Sequence, residues 1–332
     1  MNTQIDILEN EILEKYPEVL DTLLRDHTTQ KNIIWATNNY EYLGENYFES
    51  KQIESDLITG VNGNVIMPRI QKDAILQQSR VKNMAEVFTP SWICNVQNNI
   101  IDYSWFQQKN VFNKEITDEN RWETIKEKIN FPQNKTWKDY VKEKRLEIAC
   151  GEAPYITSRY DTTTGIYINI EDRIGLLDRK LRIINENIHN AGDWLKAAQT
   201  AYKNTYAYEW QGDSLLLARE SMLFTFIENF KYKFDKEPLI KSIQYIAYII
   251  SWNVWQMDGL KGVIPFSCGE IQTKIINLFG EEETDNSFCS GCLDNNLFKH
   301  NGIYCLVKDW SNKEKVTGKT GKKLRFIDLI EK

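Results

Sequence analysis

The chain has 332 residues, of which 42% are hydrophobic and 12% aromatic, as in a folded globular protein rather than a disordered one. A net charge of −6 argues against a broadly basic surface that would bind nucleic acid tightly by itself. No apolar run is long enough to span a bilayer, and the polar start of the chain lacks the features of a signal peptide. We therefore expect a cytoplasmic protein, without membrane association, whose six cysteines are thiols or metal ligands.

The first part of the chain is predicted to be mainly helical. Apolar residues at helical spacing over 4–26, interrupted by Pro17, predict two short amphipathic helices. Another helix is expected over 71–83, and a further one opens at 90–101, where a proline is tolerated in the first turn. Residues 105–144 are charged and carry several tryptophans, which predicts connecting structure and one helix.

From residue 145 onward, predicted strands alternate with predicted helices. The strands cover 145–149, 205–209 and 252–257, and the helices cover 174–188, 191–203, 213–231 and 238–250. This alternation is typical of an α/β fold with a mostly parallel sheet covered by helices on both faces. We divide the chain into an N-terminal helical region over 1–84, an α/β core over 85–265 and a cysteine-containing segment with a basic end over 266–332, within which 324–330 is a strand or short helix.

The most informative run is Leu146–Ile156, in which a strand-like stretch enters Ala149, Cys150, Gly151 and Glu152 and then turns. A strand that ends in a tight glycine turn brings backbone N–H groups close to a ligand. In an open α/β sheet this place is the crevice beyond the carboxyl ends of the strands, where nucleotides bind. The run 86–90 stands upstream, and Tyr208-Glu209-Trp210 stands downstream before a helical pattern.

Together these runs resemble the S-adenosylmethionine-binding half of DNA adenine-N6 methyltransferases, the modification subunits of restriction–modification systems. The resemblance covers roughly residues 80–265 and implies a Rossmann-like class I methyltransferase sheet. It implies that the 86–90 run and the glycine turn contact the methionine part of the cofactor, that Glu209 accepts the ribose hydroxyls, and that Asp258 faces the adenine amino group. The implied cofactor-binding residues are Phe88, Thr89, Pro90, Glu147, Ala149, Cys150, Gly151, Glu152, Glu209, Trp210 and Asp258.

Structural alternatives stay open at several of these positions. A carboxylate such as Glu209 suits two vicinal hydroxyls because it offers acceptor oxygens and no donor. The alternative is a surface acid at a strand end that binds no ligand, since it would have the same sequence pattern. Asp258 with Gly259 is also a common turn-forming pair. Glu152 stands where the family usually has a small residue, and its carboxylate either meets the cofactor's ammonium group or faces solvent.

The family's catalytic motif, Asn/Asp/Ser-Pro-Pro-aromatic, is missing, because this sequence contains no Pro-Pro pair. In the family that motif orients the target amine and stacks on the flipped base. We therefore leave the catalytic residues unassigned and expect a DNA methyltransferase subunit that works with a partner chain supplying the catalytic loop and target recognition. The alternatives are a non-catalytic regulatory or scaffold protein derived from a methyltransferase, and a different transferase on the same fold.

A second constellation lies near the end of the chain. Cys289-Ser-Gly-Cys292 has the spacing of a knuckle that places both sulfurs on one metal. Cys305 together with His300 or Cys268 would complete a tetrahedral structural zinc site. We predict Cys289, Cys292, Cys305 and His300 as the ligands, with His300 preferred over Cys268; the alternative is a set of free thiols.

Overall fold

The computed structural model describes residues 9–72, 77, 89–276, 282–313 and 320–330. Two short helices open the described chain, α1 (Glu9–Lys15) and α2 (Val19–Leu24), in agreement with the sequence prediction. A pair of short antiparallel strands follows, β1 (Arg25–Asp26) and β2 (Lys31–Asn32). Short 3-10 turns then continue to residue 71, so the helix predicted over 71–83 falls almost entirely outside the described residues.

The segment before the main sheet contains a helix and a hairpin. Helix α3 (Ser91–Phe106) confirms the helix predicted to open near Pro90. Strands β3 (Asn113–Ile116) and β4 (Arg121–Thr124) form an antiparallel hairpin that sequence reasoning missed, because its residues are mostly polar and have no clear alternation. The following helix, α4 (Trp137–Lys142), begins with a capping box between Thr136 and Asp139.

A three-stranded parallel sheet lies at the centre of the molecule. Its strands are β5 (Arg145–Ile148), β6 (Thr205–Glu209) and β7 (Val254–Gln256), hydrogen-bonded in that order. The intervening helices are α5 (Leu176–Asn187), α6 (Ala191–Lys203), α7 (Gly212–Phe234) and α8 (Ile240–Asn253). These elements match the predicted ones to within a few residues, because long periodic segments carry the strongest sequence signal. The molecule is thus a mixed α/β fold, as expected.

The last part of the chain forms two hairpins. Strands β8 (Ile271–Ile276) and β9 (Glu282–Ser287) pair antiparallel, and a one-turn helix, α9 (Ser290–Leu293), follows. Strands β10 (Leu306–Lys313) and β11 (Thr320–Arg325) form the second hairpin, which ends in a 3-10 turn over Phe326–Leu329. The run 324–330, expected to be a strand or a short helix, therefore begins as the end of β11 and continues as a 3-10 turn.

Two apolar clusters cover the two faces of the central sheet. The larger cluster packs the helices and the N-terminal segment against Ala207 and Val254. The smaller cluster centres on Trp255 and Val307 and joins the β10–β11 hairpin to the sheet. The second face is thus covered by a hairpin rather than by the expected helices. In the described part of the chain, no helix is long and apolar enough to cross a bilayer.

Helix α7 connects the N-terminal segment to the sheet through one fully buried side chain. The Arg219 guanidinium donates to the carbonyls of Val254, Ser251 and Arg25 at 2.9, 3.3 and 3.1 Å, and also to that of Leu23. Burial lowers the pKa of Arg219 to about 10, so the side chain still carries its charge at neutral pH. One cation therefore satisfies backbone acceptors from α2, β1, α8 and β7.

Replacing this cation should destabilise the whole fold. Arg219→Met leaves several buried carbonyls without a donor, and we expect it to lower the free energy of unfolding by roughly 3 kcal/mol or more, measured by urea denaturation. The matched control is Arg121→Met, because Arg121 pairs only with exposed acids on a surface hairpin and its loss should leave the urea midpoint nearly unchanged. Equal midpoints for the two variants would contradict the role of Arg219.

Candidate functional site

Several predicted cofactor residues directly follow one of the three strands, and these residues lie along the carboxyl edge of the sheet. Parallel pairing aligns the carboxyl ends of β5, β6 and β7, so the residues that follow these strands are neighbours. Backbone hydrogen bonds continue the alignment past the strand ends, from Cys150 N to Tyr208 O at 3.0 Å and from Met257 N to Glu209 O at 3.0 Å. The structure therefore brings the glycine turn, Glu209 and Asp258 to a common edge.

The turn after β5 has an unusual backbone. Ala149, Gly151 and Ala153 have φ angles of 47°, 53° and 59°, so three left-handed residues occur within five positions. For an alanine this conformation costs roughly 1–2 kcal/mol, so surrounding contacts must hold it in place. Backbone hydrogen bonds brace the turn, from Cys150 N to Tyr208 O at 3.0 Å and from Ala153 N to Cys150 O at 2.7 Å. The sequence predicted the glycine turn but not the two strained alanines.

The carboxylate of Glu209 contacts this turn. Its Oε2 accepts a hydrogen bond from Gly151 N at 2.8 Å, and its Oε1 accepts one from Gln211 N at 3.1 Å. Glu209 is buried, and burial raises its pKa although these backbone donors act in the opposite direction. The side chain thus joins the turn after β5 to the segment that leads into α7, and the alternative of a solvent-facing acid does not apply.

Glu147 lies beneath the same turn rather than facing the crevice. It is buried on the helical face of β5, where it accepts hydrogen bonds from Tyr155 N at 3.4 Å and Ile156 N at 3.2 Å. Burial raises the pKa of Glu147 to about 8, against the effect of both backbone donors, and nearby Glu209 adds to the rise. Glu147 therefore orders the far end of the turn and is partly protonated near neutral pH.

Glu152 connects the turn to Arg69 and Tyr160 through hydrogen bonds. Its Oε1 accepts a hydrogen bond from Arg69 N at 2.7 Å, and its Oε2 accepts one from the Tyr160 hydroxyl at 2.5 Å. The residue is only 3% exposed, so of the two expected alternatives, contact with solvent is excluded. In this arrangement the carboxylate holds the N-terminal segment against the crevice.

The upstream motif meets the turn through Tyr155. The hydroxyl of Tyr155 interacts with the side chain of Thr89, which places the Thr89–Pro90 segment beside the loop that follows Gly151. The start of α3 is fixed there, because Ser91 N donates to Asp161 Oδ2 at 2.6 Å. Phe88, the remaining predicted residue of this motif, lies outside the described residues.

Asp258 and Trp210 complete the edge. Asp258 Oδ1 accepts hydrogen bonds from Leu260 N at 3.0 Å and Lys261 N at 3.2 Å, which is the geometry of a turn-forming aspartate. The Trp210 indole N–H donates to Ala36 O at 3.0 Å. Both side chains are thus engaged in holding loops at the crevice.

Sequence reasoning missed the N-terminal segment as part of this site. The Gln256 side chain at the end of β7 pairs with the backbone of Ile34, accepting from its N–H at 2.9 Å and donating to its carbonyl at 2.8 Å. Gly212 N donates to Trp35 O at 2.9 Å, and a Cβ at Gly212 would lie 2.1 Å from Ile34 O. Only glycine permits this close approach. No local pattern could have shown that residues 34–36 lie across the strand ends.

A buried ion pair reinforces the same contact. Lys72 Nζ lies 3.1 Å from Asp213 Oδ2 in the first turn of α7, and the Tyr40 hydroxyl donates to the same oxygen at 2.7 Å. Both charged side chains are almost fully buried, so removal of either one would leave the other charge buried without a partner. This ion pair attaches the last described part of the N-terminal segment to the crevice.

The cysteine-containing segment forms a compact cluster of ligand atoms. The sulfurs of Cys268, Cys289 and Cys292 and the Nδ1 of His300 all lie within 4.8 Å of one another. The Cys268 sulfur is 3.3 Å from that of Cys289, 3.6 Å from that of Cys292 and 3.4 Å from His300 Nδ1. Tetrahedral zinc with bonds to sulfur of about 2.3 Å separates its sulfur ligands by roughly 3.8 Å. The cluster could therefore hold a metal ion such as zinc.

The ligand set differs from the predicted one at one position. Cys305 is fully buried in the apolar cluster beneath the sheet, where its thiol donates to Gln256 O at 3.4 Å. It is not part of the metal cluster, and Cys268 takes its place while His300 stays. Spacing alone could not separate these cysteines, because the 271–287 hairpin returns the chain to Cys268 after a long interval.

Local geometry favours a bound cation at this cluster. Burial opposes ionisation of Cys289, but hydrogen bonds from the backbone N–H groups of Asn301 and Cys292 and from the side chains of Cys268 and His300 together lower its pKa to about 6. Burial and the two neighbouring thiols raise the pKa of Cys268 to about 12. A cation would allow all three sulfurs to ionise together. Gly291 permits the knuckle, since a Cβ there would lie 2.5 Å from His300 N.

Zinc content separates the observed ligand set from the predicted one. We expect protein purified without chelator to contain stoichiometric zinc by elemental analysis, and both Cys268→Ser and Cys289→Ser to lose it, because each removes a ligand. Cys305→Ser is the matched control and should retain zinc. Full zinc content in Cys268→Ser, or its loss in Cys305→Ser, would contradict this ligand set.

Protonation of Glu147 predicts a pH dependence of stability. Between the ordinary pKa of 4.5 and the folded value of about 8, the folded protein keeps a proton that the unfolded chain has released. Stability should therefore fall as pH rises through this window. Glu147→Gln removes that titration, so its urea midpoint should fall less than that of the parent between pH 5 and pH 8. Parallel pH profiles for the two proteins would exclude a raised pKa at Glu147.

Comparison with known proteins finds no protein-family model that matches the chain, and no similar curated protein or solved structure. The function is therefore inferred from the geometry of the crevice and of the cysteine cluster.

Proposed function

We propose that the chain is the S-adenosylmethionine-binding subunit of a DNA adenine-N6 methyltransferase of the restriction–modification type, and that its sheet is the first half of a Rossmann-like class I methyltransferase fold. The observation that carries the proposal is the hydrogen bond between Gly151 and Glu209 at the carboxyl edge of a parallel sheet, with Thr89 beside Tyr155 of the loop that follows the turn. Open α/β sheets bind nucleotide-like ligands in this place.

The crevice offers the groups that such a cofactor requires. The turn at Ala149–Ala153 would let the methionine part approach the backbone closely, because Gly151 has no side chain. An ionised carboxylate has about four acceptor sites, and the backbone N–H groups of Gly151, Gln211 and Trp210 all hydrogen-bond to Glu209. The remaining acceptor capacity would serve a ribose hydroxyl, so Glu209 would hold the turn and the cofactor together.

The catalytic loop is proposed to come from a partner chain. Methyl transfer from a sulfonium is a direct displacement, so alignment of the amine with the methyl group supplies much of the rate enhancement and no covalent nucleophile is needed. The sequence contains no paired proline to perform that alignment. The partner would also contribute most of the contacts to DNA phosphates, in keeping with the net charge of −6 on this chain.

The metal cluster is proposed to be structural. Three thiolates and an imidazole would fill the tetrahedral coordination of zinc, which leaves no open position for a water or a substrate. Bound zinc would close the base of the β8–β9 hairpin, because Cys268 precedes its first strand and Cys289 follows its second. The nearby Phe266 ring packs edge-on against the Trp210 ring, with 5.4 Å between the ring centroids. Bound zinc would therefore also help to hold Trp210 in place.

One observation favours the second candidate, a non-catalytic scaffold protein derived from a methyltransferase. The carboxylates of Glu209, Glu152 and Asp258 all accept hydrogen bonds from the protein itself. A crevice held only by internal contacts would keep its shape without a cofactor. The two candidates differ directly in whether the isolated chain binds S-adenosylmethionine.

Calorimetric titration of the isolated chain with S-adenosylmethionine tests the proposal. We expect saturable binding, and we expect Glu209→Ala to weaken it by roughly 2–4 kcal/mol because charge-assisted hydrogen bonds are lost. Glu237→Ala, which removes an exposed acid paired with Lys231, is the control and should bind as the parent does. Thermal melting of both variants separates loss of a ligand contact from loss of fold. Absence of binding by the parent would favour the scaffold candidate, and unchanged binding by Glu209→Ala would exclude the ribose assignment.

A further inference from the structure

The central sheet has a free edge at β5. This strand pairs with β6 on one side, and within the described ranges it pairs with no strand on the other. An edge strand presents a row of backbone N–H and C=O groups that can pair with another extended chain, and proteins ordinarily protect such an edge. Here the edge borders the glycine turn directly, since Ala149 and Gly151 follow the last residue of the strand.

The side chains on this edge are apolar and exposed. Leu146 and Ile148 alternate with buried Glu147, and they are 47% and 64% exposed. They lie opposite Tyr206 and Tyr208 of the next strand, which pack against the smaller apolar cluster. The apolar face of the sheet thus continues past the hairpin that covers it and ends in solvent at β5.

A groove runs beside Leu146. It has a volume of about 340 Å³ and lies between β5 and the β10–β11 hairpin, with Leu146, Tyr206 and Phe326 among its lining residues. Leu329 and Ile330 close its far wall and are 58% and 41% exposed. Exposed apolar side chains gathered along an open strand edge are typical of a surface that a partner covers.

Charge defines the amino-terminal end of the groove. Lys144 and Arg145 line it where β5 begins, and Lys144 is exposed. Arg145 lies 3.7 Å from Glu143, its one ion-pair partner among the described residues. A strand laid parallel to β5 would begin beside these two cations. Its complementary sequence is therefore acidic at the start and apolar at alternate positions after it.

We propose that β5 is the docking edge for a strand of the catalytic partner chain, which extends the sheet in parallel and covers Leu146 and Ile148. The inference rests on the proposed function for the identity of the partner. A parallel strand at this edge would end next to the Gly151 turn. The strand order reverses there, because the chain proceeds from β5 to β6 and β7 on the other side, and ligands bind at such a point in open α/β sheets. The loop that follows the added strand would therefore enter the crevice.

The test measures association with a candidate partner chain, defined as a polypeptide that contains an Asn-Pro-Pro-aromatic sequence and is encoded next to this chain. Ile148→Asp places a charge in the strand-to-strand contact, and we expect it to weaken association about tenfold or more. Ile148 is mostly exposed in the isolated chain, so the variant should fold, and its thermal melting checks this. Leu239→Asp is the matched control, since Leu239 is 76% exposed and precedes α8 away from the groove.

Hydrogen exchange provides a second measurement on the unmodified proteins. The amides of Leu146 and Ile148 should gain protection when the complex forms, because they would enter a ladder of backbone hydrogen bonds. Equal affinity for the parent and Ile148→Asp, no added protection at β5, or no complex at all would overturn the docking proposal. Titration of the isolated chain with S-adenosylmethionine distinguishes that failure from failure of the proposed function, because cofactor binding does not require the added strand.

Discussion

The arrangement of the crevice depends on one buried carboxylate, that of Glu209. Its oxygens accept backbone N–H groups from the turn after β5 and from the residue before α7, so a single side chain fixes two loops at adjacent strand ends. Burying a carboxylate is unfavourable unless donors surround it, and its raised pKa shows that the donors offset burial only in part. The strained backbone at Ala149 and Ala153 persists because such contacts hold the turn from above and Glu147 holds it from below.

Other segments of the chain contact the strand ends near Glu209. The N-terminal segment crosses the strand ends through Gln256 and is held by the Lys72–Asp213 ion pair, while Arg219 connects α2 and β1 to the sheet. The cysteine cluster reaches the same place through the contact of Phe266 with Trp210. A change in the cysteine cluster would therefore alter the contacts at the carboxyl edge of the sheet.

Sequence patterns predicted much of the core and only part of the site. Strand β6 and helix α6 were predicted to their exact ends, because alternating or 3.6-residue apolar periodicity is a local signal. The β3–β4 hairpin was missed because it is polar and packs through contacts that no local pattern encodes. Spacing predicts Cys305 as a ligand and prefers His300 over Cys268, because it cannot show which cysteine a distant hairpin returns to the knuckle. The contributions of Ile34, Trp35 and Lys72 are long-range contacts and left no sequence signal.

Transfer of a labelled methyl group from S-adenosylmethionine to duplex DNA decides whether two chains share the reaction. It compares three samples: this chain alone, a candidate partner chain that carries an Asn-Pro-Pro-aromatic sequence, and an equimolar mixture. Our account predicts methylation of adenine N6 only in the mixture, because one chain would bind the cofactor and the other would align the amine. Methylation by this chain alone would contradict the division of labour, and an inactive mixture that nonetheless forms a stable complex would support a scaffold instead.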